Sequence, residues 1–359
     1  MSVSGKDNPS FELMAQFGHQ MILFCNDEAV GLKAIIAVHD TTLGPAIGGV
    51  RMLPYQSTDE ALEDVLRLSR GMTYKAAVSG VNLGGGNAVI MGDHRTQKTE
   101  VLLRRFGQFV DRLNGTFIAS LDIGTTPKDL EYVHMETGHV AGLPKSLGGS
   151  GDSSPFTAKG VYYGIKASLK ELYGNDALAG RTVAVQGAGN VGEQLIALLR
   201  EENAKVYVSD IVEDRMAEVA NKYKAVPVAN SNIYELDVDV YSPCALGGTV
   251  NKETIAKMRC RIIAGSANNQ LRNEKEEGQL LMDRNILYAP DYLINAGGLL
   301  SCYSELAGYS ASRTAALTEN IYEATRSVLR KSINEQVAPY QAANQIAENR
   351  IADMRKIKQ

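Results

Sequence analysis

Membrane-spanning runs, disulfide frameworks and metal-ligand patterns are all missing from this chain. No stretch of about 18 consecutive apolar residues occurs, so a spanning helix is not expected. The start, MSVSGKDNPSFELMAQFGHQ, has no basic segment followed by an apolar one, which argues against secretion. Cysteine is scarce: Cys25, Cys244, Cys260 and Cys302 lie far apart without C-x-x-C spacing, in apolar or helical surroundings that suit reduced thiols. A reduced, cytoplasmic protein is the expectation. The five histidines (His19, His39, His94, His134, His139) contain no H-E-x-x-H pattern, so no metal site is expected of them. Lys+Arg 37 against Asp+Glu 41 gives a formal net charge of -4. That balance offers no broad cationic surface to nucleic acid or anionic lipid, and neither partner is expected. Internal repeats and low-complexity tracts are also absent.

What remains is an ordinary globular composition, 44% hydrophobic and 22% charged, over 359 residues. That length suggests two domains, each able to bury a core. QMILFCN and GLKAIIAVHD alternate apolar and polar residues and read as two strands joined by a turn near Asp27-Glu28. Residues 59–70 place Leu62, Val65, Leu66 and Leu68 on one stripe with acids in the first turn, and residues 100–113 do the same with Leu102, Leu103, Phe106, Phe109, Val110 and Leu113. Both are amphipathic helices whose apolar faces belong to a core. The Gly/Ser/Pro-rich stretch 142–155 marks a boundary. We place a substrate and oligomerisation domain with a mixed sheet at 1–148, a Rossmann-type domain at 149–331, and a helical segment, 332–359, returning to the first. The fold class is α/β, because strands and helices alternate from Thr182 onward and imply crossovers and a parallel sheet.

Gly187-Ala-Gly189-Asn190-Val191-Gly192 fits G-x-G-x-x-G, directly after the apolar strand Val183-Ala-Val-Gln186 and before a helix beginning near Val191. The first glycine permits the tight turn, the second lets backbone approach a pyrophosphate, and the third allows close helix–strand packing. Asp210 ends the next strand, 23 residues after Gly187, where a carboxylate accepts from ribose hydroxyls and repels a 2′-phosphate. A tight turn that binds nothing would use the same letters. The succession of strand, turn, helix, strand and terminal acid selects a dinucleotide, and the acid selects NAD over NADP. A nicotinamide cofactor implies hydride transfer, with the substrate held partly by the first domain.

In that first domain, Met72-Thr-Tyr-Lys75 and, twelve residues after the lysine, Gly84-Gly85-Gly86-Asn87 lie between helix and strand patterns. Successive glycines let backbone come close to a ligand. Lys75 sits in an apolar stretch and needs an anion or a path to water, so a substrate carboxylate would suit it. Taken alone, it equally fits a surface lysine whose stem lies along apolar neighbours.

The chain resembles the leucine, phenylalanine, valine and tryptophan dehydrogenases of the glutamate dehydrogenase superfamily. The segments that carry the resemblance are TTLGPAIGGVRM, LRLSRGMTYKAA, NLGGGNAVIMGD, LDIGTTPKDL, GGSGDSSPFTAKGV, VAVQGAGNVG, YSPCALGG, AGSANNQL and APDYLINAGG. The resemblance implies NAD-dependent oxidation of an L-amino acid to its 2-oxo acid and ammonia, the reverse reductive amination, and a homo-oligomer. It implies that Gly48 and Gly49 line the substrate with Ser120, that Lys75 binds its carboxylate, and that Asp122 is the catalytic acid. Met72 would wall the side-chain pocket and Thr157 would hold the nicotinamide carboxamide. Asn269 and Asn295 would sit by nicotinamide and substrate amine, and Cys244 and Ala245 would border the cofactor.

Two positions depart from the family pattern. The family has G-G-G-K where this chain has Asn87, in place of a lysine that polarises the carbonyl and activates water. An amide donates a hydrogen bond but takes up no proton at neutral pH, so impaired turnover is expected, by ~10² to 10⁴ if a general base is lost. Leu121 stands where relatives often carry Glu or Gln. Ile47, Gly48, Met72, Ser120 and Ala141 supply no cation for a distal carboxylate, which favours apolar amino acids over glutamate. The alternatives are an NAD-dependent amine or imine oxidoreductase, or an inactive variant that binds amino acid and NAD.

Overall fold

The computed structural model describes residues 9–357. The chain divides into two compact units. One holds the described residues up to Gly151 with Glu305–Tyr309 and those from Asn349 onward, and the other holds Asp152–Ser304 with Ser310–Glu348.

The first unit opens with α1 (Pro9–Phe17), β1 (Met21–Asp27), β2 (Leu32–Asp40) and β3 (Ala46–Leu53). It continues with α2 (Thr58–Val78), β4 (Gly84–Met91), α3 (Glu100–Asp111), β5 (Phe117–Leu121) and α4 (Pro127–His134). The five strands pair in the order β1-β2-β4-β3-β5. β1–β2 and β2–β4 are antiparallel, while β3 runs parallel to both β4 and β5, so the sheet is mixed. Alternation along the strands sorts the core into two faces. Ile35, Ala37 and Val89 pack with Ala61, Leu62, Val65 and Leu66 of α2. Ala34, Ile36, Val50, Ala88 and Ile90 pack with Leu102, Phe106 and Val110 of α3 and Leu130 and Val133 of α4.

Two segments lie differently from the sequence reading. Met72 to Lys75 are inside α2, which runs on past Arg70 to Val78 because only Gly71 interrupts its helix formers; Gly80, at φ +80°, follows its end. The glycine triplet is the start of β4, where side chains have no room. A Cβ on Gly85 would come within 2.1 Å of the Thr73 nitrogen in α2, and one on Gly86 within 2.7 Å of Phe117.

The second unit begins with α5 (Ser154–Tyr173), β6 (Thr182–Gln186), α6 (Asn190–Glu201), β7 (Lys205–Ser209), α7 (Glu213–Tyr223) and β8 (Val226–Pro227). There follow β9 (Val240–Pro243), α8 (Lys252–Lys257), β10 (Ile262–Ile263), α9 (Glu274–Asp283), β11 (Leu287–Tyr288), α10 (Asp291–Ile294) and α11 (Gly297–Glu305). Helices α12 (Ala311–Glu319), α13 (Ile321–Glu335) and α14 (Pro339–Lys356) close the chain. The six strands are all parallel, in the order β11-β10-β9-β6-β7-β8. Read from the other edge this is 3-2-1-4-5-6, the doubly wound dinucleotide order.

The division differs from the sequence boundaries of 148 and 332. The first unit continues to Gly151, and residues 332–348 stay with the second. The reason is local: α13 runs unbroken to Glu335, Tyr340 packs on Gly278, and Tyr292 donates to the Asn344 side chain at 2.7 Å. Only the last turns of α14 join the first unit. There Arg350 donates to the Ala77 and Val81 carbonyls at 2.9 Å each, and Arg355 pairs with Asp40 at 2.6 Å.

Candidate active site

The pairing register of the first sheet sets Gly49 beside Ser120 and Asn87 beside Ala37 on the α2 face, with Gly48 beside Ala119 one residue before Gly49. Backbone crowding explains the glycines. A Cβ on Gly48 would lie 1.6 Å from the Gly86 carbonyl oxygen and 2.9 Å from Asn87 Oδ1. Asn87 is 2% exposed, yet its Nδ2 has no hydrogen-bond partner. Buried donors are rarely left unmade, so this amide is a built donor awaiting an acceptor. Met72 and Lys75 are half-buried on α2, and Ser120 is half-buried at the end of β5.

Asp122 follows β5 and is fixed at several points. Its backbone N–H donates to Thr125 Oγ1 at 3.1 Å, and that hydroxyl reaches the Val50 carbonyl of β3 at 2.9 Å. Its carboxylate accepts from Arg51 through Nε at 3.2 Å and Nη2 at 3.3 Å, and from the Ile123 backbone N–H at 2.7 Å. Arg51 Nη1 turns to Asp64 of α2 at 3.1 Å, and the Tyr55 hydroxyl donates to the same carboxylate at 2.6 Å. Burial works against the Arg51 cation, but the Asp122 and Asp64 carboxylates outweigh it and raise its proton affinity. The sequence reading passes over Arg51, although it lies in the GGVRM segment, two residues beyond Gly49 and therefore on the same side of the strand.

In the second unit the strand order reverses around β6, where β7 pairs on one side and β9 on the other. Ligands of doubly wound sheets bind outside the strand ends at such a point. It brings together the turn after β6 and the turn after β9: Cys244 N donates to the Gln186 carbonyl at 2.7 Å. Gly187 has φ +109°, and a Cβ there would meet the Cys244 carbonyl and the Ala245 nitrogen at 2.8 and 2.9 Å. A Cβ on Gly192 would lie 2.0 Å from the Gly187 carbonyl oxygen, so helix α6 packs against the turn as the motif requires. Around Gly189 there is open space. Helix α6 starts at Asn190, one residue before the sequence-predicted Val191, and no side chain caps it. Its first N–H groups and the positive end of its dipole are thus left for an anion. Asp210 turns toward this site, accepting from the Ala188 backbone N–H at 2.7 Å and the Val212 N–H at 2.9 Å. The donor set fits a dinucleotide pyrophosphate and an adenosine ribose.

Asn295 donates through Nδ2 to Asn268 Oδ1 at 2.7 Å and to the Ser266 carbonyl at 3.1 Å, while its buried Oδ1 has no partner. Asn269 is exposed, with φ +50°. Thr157, in the first turn of α5, lies 2.5 Å by its nitrogen from where a Cβ on Gly297 would sit, two residues beyond Asn295. Asn268, unread in the sequence, orients the Asn295 amide. Among the described residues no cluster of His, Cys, Asp and Glu could hold a metal ion. No described helix is long and apolar enough to cross a membrane.

A 3-2-1-4-5-6 sheet with its glycine turn and an acid at the end of the next strand, in a chain whose other unit lines a sheet face with close-set backbone, a carboxylate and a buried amide donor, defines a dinucleotide-dependent dehydrogenase. Residues 19–139 match the Glu/Leu/Phe/Val dehydrogenase dimerisation domain, and 148–214 with 207–358 match the Glutamate/Leucine/Phenylalanine/Valine dehydrogenase domain. Leucine dehydrogenase of Geobacillus stearothermophilus is 47% identical over 96% of this chain and 94% of its own. Phenylalanine dehydrogenase of Thermoactinomyces intermedius is 48% identical over 97% of this chain and 96% of its own. The crystal structure of L-tryptophan dehydrogenase from Nostoc punctiforme superposes with a TM-score of 0.87 at 44% identity, covering 96% of this chain and 99% of that one. The chain belongs to the glutamate/leucine/phenylalanine/valine dehydrogenase family and is an NAD-dependent amino acid dehydrogenase.

Proposed function

We propose that this enzyme oxidises an apolar L-amino acid of the leucine, phenylalanine or tryptophan type to its 2-oxo acid and ammonia, and runs the reverse reductive amination. The observation that carries the reading is the α2 face of the first sheet. There Gly49 lets the Asp122 side chain come close to the strand, Gly48 leaves room for the Gly86 carbonyl and the Asn87 side chain, and Asn87 offers an unpaired buried donor. Apolar Ile47, Met72 and Ala141 supply no counter-charge for an acidic side chain, so glutamate is disfavoured.

In this reading Lys75 binds the substrate carboxylate, Met72 and Ser120 border the side chain, and Asp122 carries the proton to and from the amino group. NAD, when bound, accepts the hydride of the α-carbon. Gly187, Gly189, Asn190, Val191 and Gly192 would hold its pyrophosphate with Cys244 and Ala245, Asp210 its ribose, and Thr157, Asn269 and Asn295 its nicotinamide end. Asn87 directs its amide N–H at the substrate oxygen or the attacking water, without taking up a proton. Turnover is therefore slower than with a lysine at that position. The resemblance and the dimerisation-domain match support a homo-oligomer, and the four free thiols support a reducing compartment such as the cytoplasm.

Asn87 also favours a second reading, an amine or imine oxidoreductase or an inactive binding variant. NADH formation with a panel of L-amino acids, for the parent and for Asn87→Lys, separates them. Oxidation of an apolar amino acid by the parent supports the proposal. Turnover by the lysine variant alone identifies a disabled dehydrogenase, and silence of both with NAD bound overturns the proposal. Equal oxidation of an amine lacking a carboxylate removes Lys75 from its role.

A further inference from the structure

We propose that Arg51, anchored by Asp64, is the positioning residue that aims the Asp122 carboxylate at the substrate; this rests on the reading of Asp122 as the proton carrier. Three observations on separate elements carry it. Arg51 extends from β3 on the same side as Gly49, and the Asp122 side chain lies against Gly49 so closely that a Cβ there would stand 2.4 Å from Asp122 Cβ. The guanidinium spans the Asp122 carboxylate with two donors, Nε and Nη2, which fixes its plane as well as its place. The third nitrogen, Nη1, is tied to Asp64 on α2, and Asp64 is tied in turn to Tyr55.

An arginine held by one carboxylate alone can swing with it. Held from α2 as well, it becomes a fixed post, and Asp122 is left with rotational freedom only at the cost of both donors. The side chains of Arg51 and Asp122 are 16% and 20% exposed, so water competes weakly for either group. Lysine would supply the charge without the planar fork. Arg51 works through Asp122 and is not itself a catalytic residue.

Steady-state kinetics of Arg51→Ala, Arg51→Lys, Asp64→Asn and Asp122→Asn test the assignment. For Arg51→Ala, kcat is expected to fall about 100-fold, the scale of an ångström-sized misplacement, while KM for the amino acid stays near the parent value. Added guanidinium ion should restore part of the lost kcat in Arg51→Ala, ammonium should not, and Arg51→Lys should remain impaired. Should Arg51→Ala fail to fold, Asp64→Asn gives the same reading with a smaller fall in kcat, again at constant KM. Parent-like kcat in Arg51→Ala or Asp64→Asn, with Asp122→Asn inactive, overturns the role of Arg51 and leaves Asp122 in place. Full activity in Asp122→Asn removes the proton carrier itself. A rise in KM matching the loss in kcat/KM, without guanidinium rescue, makes Arg51 a substrate-binding or merely structural residue.

Discussion

Asp122 occupies the space a side chain at Gly49 would need. A Cβ on Gly49 would lie 2.4 Å from Asp122 Cβ, 3.0 Å from its Cγ and 2.9 Å from the Leu121 carbonyl oxygen. The backbone of Gly49 is in ordinary strand geometry, so the constraint is purely spatial. Gly49→Ala is therefore expected to push the carboxylate aside and lower kcat about 100-fold. Thermal melting should fall as well, by several degrees, since overpacking of this kind costs about 1–3 kcal/mol. Kinetics and a melting curve on the same preparation check it, and parent-like kcat would show that the closeness of the two residues is without consequence.

The orphan amide of Asn87 makes a prediction about ligand binding. A buried donor without a partner costs about 1–3 kcal/mol, and an acceptor that completes it recovers that amount. A 2-oxo acid presents a carbonyl oxygen, whereas Asn87→Asp presents an acceptor to an acceptor. The variant should bind the 2-oxo acid at least about tenfold more weakly, measured as product inhibition of amino acid oxidation. Equal inhibition constants in parent and variant would mean that the Asn87 Nδ2 does not meet the substrate oxygen.

The glycine turn after β6 was legible because its requirements are local: a strand, three glycines at fixed offsets, a helix start and an acid one strand later. Cys244 came to that turn through tertiary structure, and only the family resemblance pointed to it, since the contact depends on β9 pairing with β6. The first sheet was harder to read. Gly84–Gly86 carry the glycines of a loop, yet they begin strand β4, because the neighbouring backbone and Thr73 and Phe117 leave no volume for side chains. Local propensity lost to packing there. The extent of α2 past Arg70 was missed for a related reason, as Gly71 interrupts the apolar stripe without ending the helix. Arg51 gave no signal on its own, since its partners lie 13 and 71 positions away.

Asp210 offers a test of cofactor choice. Two backbone N–H groups hold its carboxylate, leaving lone pairs for the ribose hydroxyls. Asp210→Ala loses charge-assisted hydrogen bonds of about 1.5–3 kcal/mol, so KM for NAD should rise roughly 10- to 100-fold. The repulsion of a 2′-phosphate goes with it, and the preference for NAD over NADP should shrink accordingly. Initial rates with both cofactors at fixed amino acid decide the matter. An unchanged NAD/NADP ratio would detach Asp210 from the ribose.

Beneath α2, His19 and His39 form a buried pair whose titration sets an acid limit on stability. His39 Nε2 donates to the Phe17 carbonyl at 3.1 Å, and its Nδ1 meets the Thr73 hydroxyl at 2.8 Å. His19 Nε2 meets Ser69 Oγ at 2.7 Å, and that hydroxyl donates to the Val65 carbonyl at 2.7 Å; burial is what keeps both rings uncharged near neutral pH. Burial lowers His19 to about 3, with the facing His39 and then Arg70 adding to it against the Leu66 backbone. Burial lowers His39 to about 4, with Arg70 and Arg355 adding and Asp40 and the Phe17 carbonyl opposing. In the unfolded chain both titrate near 6.5, so below that pH the unfolded state binds protons that the folded state refuses. The stability these neutral rings contribute is complete above about 6.5 and is lost as the pH falls toward 4, at up to ~1.4 kcal/mol per pH unit for each histidine. Denaturant midpoints measured down this range should fall steadily, and His39→Gln should reduce the slope by about half. Because Ser69 and Thr73 are on the helix that carries Met72 and Lys75, acid should weaken amino acid affinity before the chain unfolds. A midpoint that stays level down to pH 5 would mean that the two rings accept protons where they stand.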